Sequence, residues 1–126
     1  MPAAQERFIK LILAINDKTA QNGGMIMVKH IILWQLKDEL SAEQKQKVKL
    51  DIKNGLESLA GKVPGLVEVH VHINGLASSN ADVMLDSTFA DEAALKAYAV
   101  HPEHVHVAGT MVLPYTKLRS CLDFTM

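Results

Sequence analysis

Apolar and polar positions change period several times along the chain, and each change predicts an element. Ile26 to Leu36 is apolar on both sides of a period-two pattern, with Ile31 and Leu33 on one face and Val28, Ile32, Trp34 and Leu36 on the other. A strand of this kind is expected in the middle of a sheet. Lys37-Asp38-Glu39 then turns the chain, and the period lengthens to that of a helix. Val48, Ile52, Leu56 and Leu59 form its buried stripe, and Ser41-Ala42-Glu43-Gln44 has the form of a capping box at its start. Gly61 ends this helix and Val63-Pro64-Gly65 reverses the chain.

Strict alternation follows. Between Leu66 and Ile73, Val67, Val69, Val71 and Ile73 share one face, and Glu68, His70 and His72 share the other, which predicts a strand with one buried side. A loop rich in Asn, Gly and Ser leads to a third strand from Ala81 to Phe89. Asp91 caps a second helix carrying Ala94, Leu95 and Tyr98. That helix stops at His101-Pro102, because proline cannot continue it and moves the preceding residue out of helical geometry. The same pair reads as an N-cap followed by proline at the first position of a new short helix, running to about Met111. Leu113-Pro114 ends it, and Thr116 to Phe124 makes a last strand.

The resulting order is β-α-β-β-α-β, an α+β ferredoxin-like plan with helices on one face of a four-stranded antiparallel sheet. The first strand is apolar on both faces, so one apolar set must lie on the helix-free face. An exposed face of that kind marks an interface. The expected assembly is a homodimer joined through the helix-free sheet face, forming a dimeric α/β barrel.

Residues 1–24 precede this plan and read as an extension. Phe8, Ile12 and Ile15 recur there at helical spacing, and Asn22-Gly23-Gly24 closes the pattern. The domain is assigned to 25–126, with Met25 and Met27 just ahead of its first strand. The extension's apolar stripe suits a cap on the barrel or an added dimer contact better than a membrane helix, because its polar face carries mixed charge.

Composition narrows the function classes. The chain has 126 residues, 48% hydrophobic and 21% charged, with a formal net charge of −1. Charge spread this evenly argues against a nucleic-acid partner. No apolar run reaches membrane-spanning length, and the short run at Leu11 to Ile15 does not make a signal peptide. A single cysteine, Cys121, excludes an internal disulfide framework and fits a reducing compartment. The expected location is therefore cytoplasmic. Cys121 itself reads as a buried apolar side chain.

The six histidines concentrate the chemistry. Tyr98 and His104 flank the helix break at Pro102, where a phenol and an imidazole held together can move protons near neutral pH. The start of the short helix would favour a neutral His104 ring, able to accept a proton. Tyr98 would stabilise an enolate on a neighbouring carbonyl. The competing reading has both side chains satisfying backbone groups at the break. His70-x-His72 places two imidazoles on one strand face, with His101, His104 or His106 as a distant third ligand. That spacing is weak for a metal, and neither a metal nor an organic cofactor is assigned.

Met27-Val28-Lys29-His30-Ile31-Ile32-Leu33-Trp34, Pro64-Gly65, Phe89 and the Tyr98 to His104 segment together resemble, in order and spacing, the stress-responsive dimeric α/β-barrel (Dabb) family over about residues 27–125. The resemblance implies a homodimer whose sheets form a barrel. It also implies, from a plant polyketide cyclase within that family, cofactor-free chemistry by the tyrosine and last histidine of a Tyr-x-x-His-Pro-x-His segment, with an early Lys-His histidine in the pocket. By position these are Tyr98, His104 and His30. Ile32 and Trp34 would line the pocket beside His30, although Trp34 also suits the core or the dimer face. Two functions stay open: a dimer that binds a small apolar or carbonyl-containing molecule, and a cofactor-free cyclase or lyase using Tyr98 and His104.

Overall fold

In the computed structural model, which describes residues 26–126, the first strand β1 (Val28–Leu36) lies inside the sheet. The other elements are α1 (Ala42–Glu57), β2 (Leu66–His72), β3 (Val83–Phe89), α2 (Glu92–Val100), α3 (Pro102–Val107) and β4 (Thr116–Thr125). The strand order is β2-β3-β1-β4, with every pair antiparallel. This is the ferredoxin-like α+β arrangement, with the helices on one sheet face. The extension over 1–24 lies outside the described residues.

The strand faces follow from register. Val28, His30, Ile32, Trp34 and Leu36 of β1 point toward the helices and are buried. They meet Val83, Leu85 and Phe89 of β3 and Val69 and Val71 of β2, against Val48, Ile52 and Leu56 of α1. Burying side chains of this size is worth about 1.5–3 kcal/mol each against leaving them in water. The opposite set departs from the expectation of a strand buried on both sides: Leu33 is 41% exposed in the single chain and Ile31 is half-buried.

Local signals held at the caps. Ser41 accepts from the Gln44 amide at 3.1 Å, and the Gln44 side chain accepts from the Ser41 amide at 2.8 Å, the reciprocal pair of a capping box. The Asp91 carboxylate accepts from the Ala94 amide at 2.7 Å. Gly65 is required twice over: its φ is +81°, and a Cβ there would lie 2.5 Å from the Ala94 Cβ. Only glycine lets the chain enter β2 this close beneath α2.

Two details differ from the pattern reading. A register shift between Leu66 and Glu68 leaves Val67 half-buried and puts Leu66 in the core instead. A bulge adds one residue on one strand, so alternation slips by one. The short helix after Pro102 also continues as a π-helical turn over Ala108–Val112 and a 3₁₀ turn over Leu113–Tyr115. That stretch returns the chain to β4, the strand beside β1.

Candidate functional site

The helix break presents its side chains as the sequence suggested. His101 ends α2 and starts α3, and its Nδ1 accepts from the Glu103 amide at 3.1 Å, with Pro102 next in line. The turn brings Tyr98 and His104 together, with ring centroids 4.1 Å apart and planes inclined by 36°. Tyr98 also meets Phe89 at 4.9 Å and the His30 ring at 6.2 Å. His30, Ile32, Trp34, Tyr98 and His104 line one cavity of about 150 Å³ between the helices and the sheet. The sequence reading thus converges on a single space, which Leu85, Leu95 and Val112 wall with apolar surface.

Each polar member has a definite state. Tyr98 is 2% exposed, and burial alone raises its phenol to about 12. It remains a hydroxyl, and among the described residues no hydrogen bond engages it. The His104 Nδ1–H donates to the Ala99 carbonyl at 3.3 Å, because a carbonyl can only accept. That leaves Nε2 as the ring's acceptor. Burial lowers the His104 pKa, and the charges of His30, Arg119 and His101 act in the same direction, while the Ala99 carbonyl opposes them. Burial, rather than the helix dipole invoked from sequence, is therefore the main reason its ring favours the neutral form.

His30 is held from behind. It faces Asp123 across the β1–β4 ladder, and its Nδ1–H donates to Asp123 Oδ1 at 2.5 Å. A carboxylate behind an imidazole fixes its tautomer and orientation, leaving Nε2 for the cavity that the ring lines. Register makes the pair: in the β1–β4 ladder Val28 sits opposite Thr125 and Ile32 opposite Cys121, so the odd positions Arg119, Cys121 and Asp123 share the face of His30. Arg119, Cys121 and Asp123 were not picked out as functional from sequence. Their signal was present only as a period-two pattern whose partner strand lay far away in the chain.

Cys121 is a correction. It is exposed rather than buried, because β4 is an edge strand whose helix-side face the helices do not fully cover. Its Sγ lies 3.9 Å from His30 Nδ1 and 3.5 Å from Asp123 Oδ1. Burial and then the Asp123 carboxylate raise its pKa, so it rests as a thiol and not as an activated nucleophile. A second cavity of about 550 Å³ adjoins this group, lined by Glu92, Lys96, Cys121, Asp123 and Phe124 and sharing His30 and Arg119 with the first.

The structure does not gather His70 and His72 into a ligand set. His70 Nε2 pairs with Glu68 Oε1 at 2.7 Å, His72 is exposed at the strand end, and both lie on the helix-free face. His101, His104 and His106 sit with α3, on the other side of the sheet.

Comparison with known proteins agrees with this architecture. Among curated proteins none matches. A solved structure from Bacteroides fragilis, described as a dimeric protein of unknown function with a ferredoxin-like fold, is 32% identical; the match covers 79% of this chain and 96% of that one, with a TM-score of 0.75. A Dabb family protein from Mesorhizobium loti is 19% identical over 79% and 96% of the two chains, with a TM-score of 0.62. The hydroxynitrile lyase of Passiflora edulis shares the fold at 19% identity, over 80% and 94% of the chains, with a TM-score of 0.61. No described helix is long and apolar enough to cross a membrane. The profile of the stress responsive A/B barrel domain, Dabb, matches residues 28–126, and the chain belongs to that family.

Proposed function

We propose that this protein works as a homodimer that binds a small carbonyl compound in the cavity beneath α2 and α3 and moves a proton on it, a cyclase- or lyase-type reaction without an organic cofactor. The observation that carries this reading is the Tyr98–His104 pair. Both rings line the same cavity, one offering an uncommitted hydroxyl and the other a ring nitrogen with no competing partner. Side chains placed only to satisfy the helix break would both be tied to backbone, and Tyr98 is not.

The chemistry follows from the two states. His104 Nε2 takes a proton from the carbon beside the carbonyl. Electron density moves to the carbonyl oxygen, where the Tyr98 hydroxyl donates a hydrogen bond that strengthens as charge develops. A phenol with a pKa raised to about 12 keeps its proton while doing so. His30, steadied by Asp123, accepts a hydrogen bond from a hydroxyl of the bound molecule. A cavity near 150 Å³ suits a molecule of roughly benzene size, the occupant of an engineered cavity of about that volume. Longer molecules extend into the adjoining space past His30 and Arg119. That the same fold carries a lyase in Passiflora edulis is compatible with such chemistry.

The dimer is proposed to form through the helix-free face. Leu33 of β1 and Leu118, Leu122 and Phe124 of β4 present exposed apolar side chains there, and related solved structures are dimeric. A patch shared by two copies around a two-fold axis is self-complementary, and pairing removes this surface from water.

The test is deuterium exchange at the α-carbon of small diketones and β-keto esters, followed by proton NMR in deuterated buffer. The wild-type protein accelerates exchange, and His104→Ala lowers the rate by roughly 10²–10⁴-fold without changing the far-ultraviolet circular dichroism. An equal rate in that variant overturns the assignment of the base. Saturable binding with no exchange leaves a binding protein and removes the chemistry.

A further inference from the structure

We infer that His30 Nδ1, Cys121 Sγ and the Asp123 carboxylate form a site for a borderline-soft divalent cation of the zinc type, with one coordination position open to the larger cavity. The three donor atoms lie within 4.8 Å of one another and come from adjacent strands whose register fixes them. A tetrahedral zinc centre, with bonds near 2.0–2.3 Å, separates its donors by roughly 3.3–3.6 Å. The sulfur stands 3.9 Å from the imidazole nitrogen and 3.5 Å from the carboxylate oxygen, already close to one face of that tetrahedron. Only the nitrogen–oxygen separation, 2.5 Å, is too short, because a proton now occupies the space between them. A cation takes that proton's place, and the exposed Asp123 carboxylate has room to move outward.

The donor set itself selects the ion. Thiolate with imidazole favours zinc-like metals, whereas magnesium and calcium prefer an all-oxygen shell. Three protein ligands and one open position are the pattern of zinc sites that bind water or a substrate atom. The open side faces the cavity that Glu92, Lys96 and Phe124 line. On binding, Cys121 releases its thiol proton to solvent. His30 coordinates through Nδ1 and carries its ring proton on Nε2 instead. The metal therefore changes what His30 shows to the Tyr98–His104 cavity, from an acceptor to a donor. This inference does not depend on proton transfer by His104, which belongs to neither the donor set nor its supports.

Cobalt(II) titration of reduced, anaerobic protein purified without an affinity tag tests the site. A thiolate-to-cobalt charge-transfer absorption is expected to grow to saturation at one cobalt per chain and to be displaced by zinc. Cys121→Ser abolishes the absorption, His30→Gln and Asp123→Ala each weaken cobalt binding by about tenfold or more, and His104→Ala leaves it intact. Cys121 and Asp123 are exposed on an edge strand, so their substitutions are tolerated by the fold. Absence of the absorption overturns the site. So does an absorption of unchanged affinity in both His30→Gln and Asp123→Ala, which would show a thiol binding metal without its neighbours.

Discussion

His30 and Asp123 are joined across the β1–β4 ladder, the imidazole Nδ1–H donating to the carboxylate at 2.5 Å. The contact joins the third residue of β1 to the third residue from the end of the edge strand β4, so it exists only once β4 has paired in register. It sets which His30 nitrogen faces the cavity. In the metal-free protein, nitrogen-15 NMR of the His30 ring should show a proton on Nδ1 and an unprotonated Nε2. Asp123→Ala removes the acceptor and should yield a mixture of tautomers. An unchanged ring spectrum in that variant would show that the cavity, not Asp123, orients the ring.

Tyr98 separates packing from chemistry. Its ring is enclosed by Phe89, His30 and His104, while its hydroxyl supports nothing in the described protein. Tyr98→Phe should keep unfolding stability within about 0.5 kcal/mol of wild type and lower α-carbon exchange by roughly 10²-fold. Tyr98→Ala should cost about 3–5 kcal/mol, because it empties a ring-sized space in the core. Urea denaturation beside the exchange assay measures both. A large stability loss in Tyr98→Phe would mean that the hydroxyl has a structural partner after all.

Much of this was legible from local pattern, and the limits are physical. Alternation in Val69, Val71 and Ile73, the Ser41–Gln44 cap and the His101-Pro102 break are encoded by neighbours within a few residues, so the elements and the Tyr98–His104 turn could be read directly. Cys121 could not. Its surroundings depend on which strand lies beside β4 and in which register, a choice made by contacts about ninety residues away in sequence. The same is true of Asp123 and Arg119. Val67 failed for a different reason: a bulge interrupts the period inside β2, where the Pro64-Gly65 pair just before it reads only as the turn that starts the strand. His70 and His72 share a face as the alternation requires, but the side chain that answers His70 is Glu68 on its own strand.

Gly65 tests the close approach of the β2 entry and α2. Alanine there faces a φ of +81° and a Cβ 2.5 Å from that of Ala94. Neither neighbour is the flexible end of a long side chain, so the backbone must shift. Gly65→Ala should cost about 1–3 kcal/mol. Gly61→Ala, which has a φ of +82° and open space around it, should cost less. Equal losses in chemical denaturation would show that backbone conformation alone, without the Ala94 contact, accounts for Gly65.

The helix-free face carries the proposed dimer contact, with Leu122 64% exposed in the single chain. Leu122→Glu puts a carboxylate into an apolar patch that each partner would bury against the other, and its copy repeats around the two-fold axis. Light scattering coupled to size exclusion should show a dimer for the wild type and a monomer for this variant. Leu50→Glu changes an exposed leucine on the outer side of α1 and should remain dimeric. A dimeric Leu122→Glu would move the interface elsewhere.

The lowered pKa of His104 predicts a pH dependence with a definite sign. Burial is its main cause, so the folded protein binds a proton at this ring less readily than the unfolded chain, whose histidine titrates near the ordinary value of 6.5. Below that value the unfolded state takes up more protons, and stability falls with pH. The contribution is complete above pH 6.5 and is lost as pH drops through the folded-state pKa. His104→Gln carries no titrating ring, so its urea midpoint should decline less between pH 7 and pH 5 than that of the wild type. Subtracting the two curves cancels the remaining histidines. The exchange rate should follow the same ring from the other side, holding constant at neutral pH and falling only below 6.5, as the base becomes protonated. Identical stability curves for the two proteins, or a rate that already declines above 6.5, would place His104 in water and not in the cavity wall.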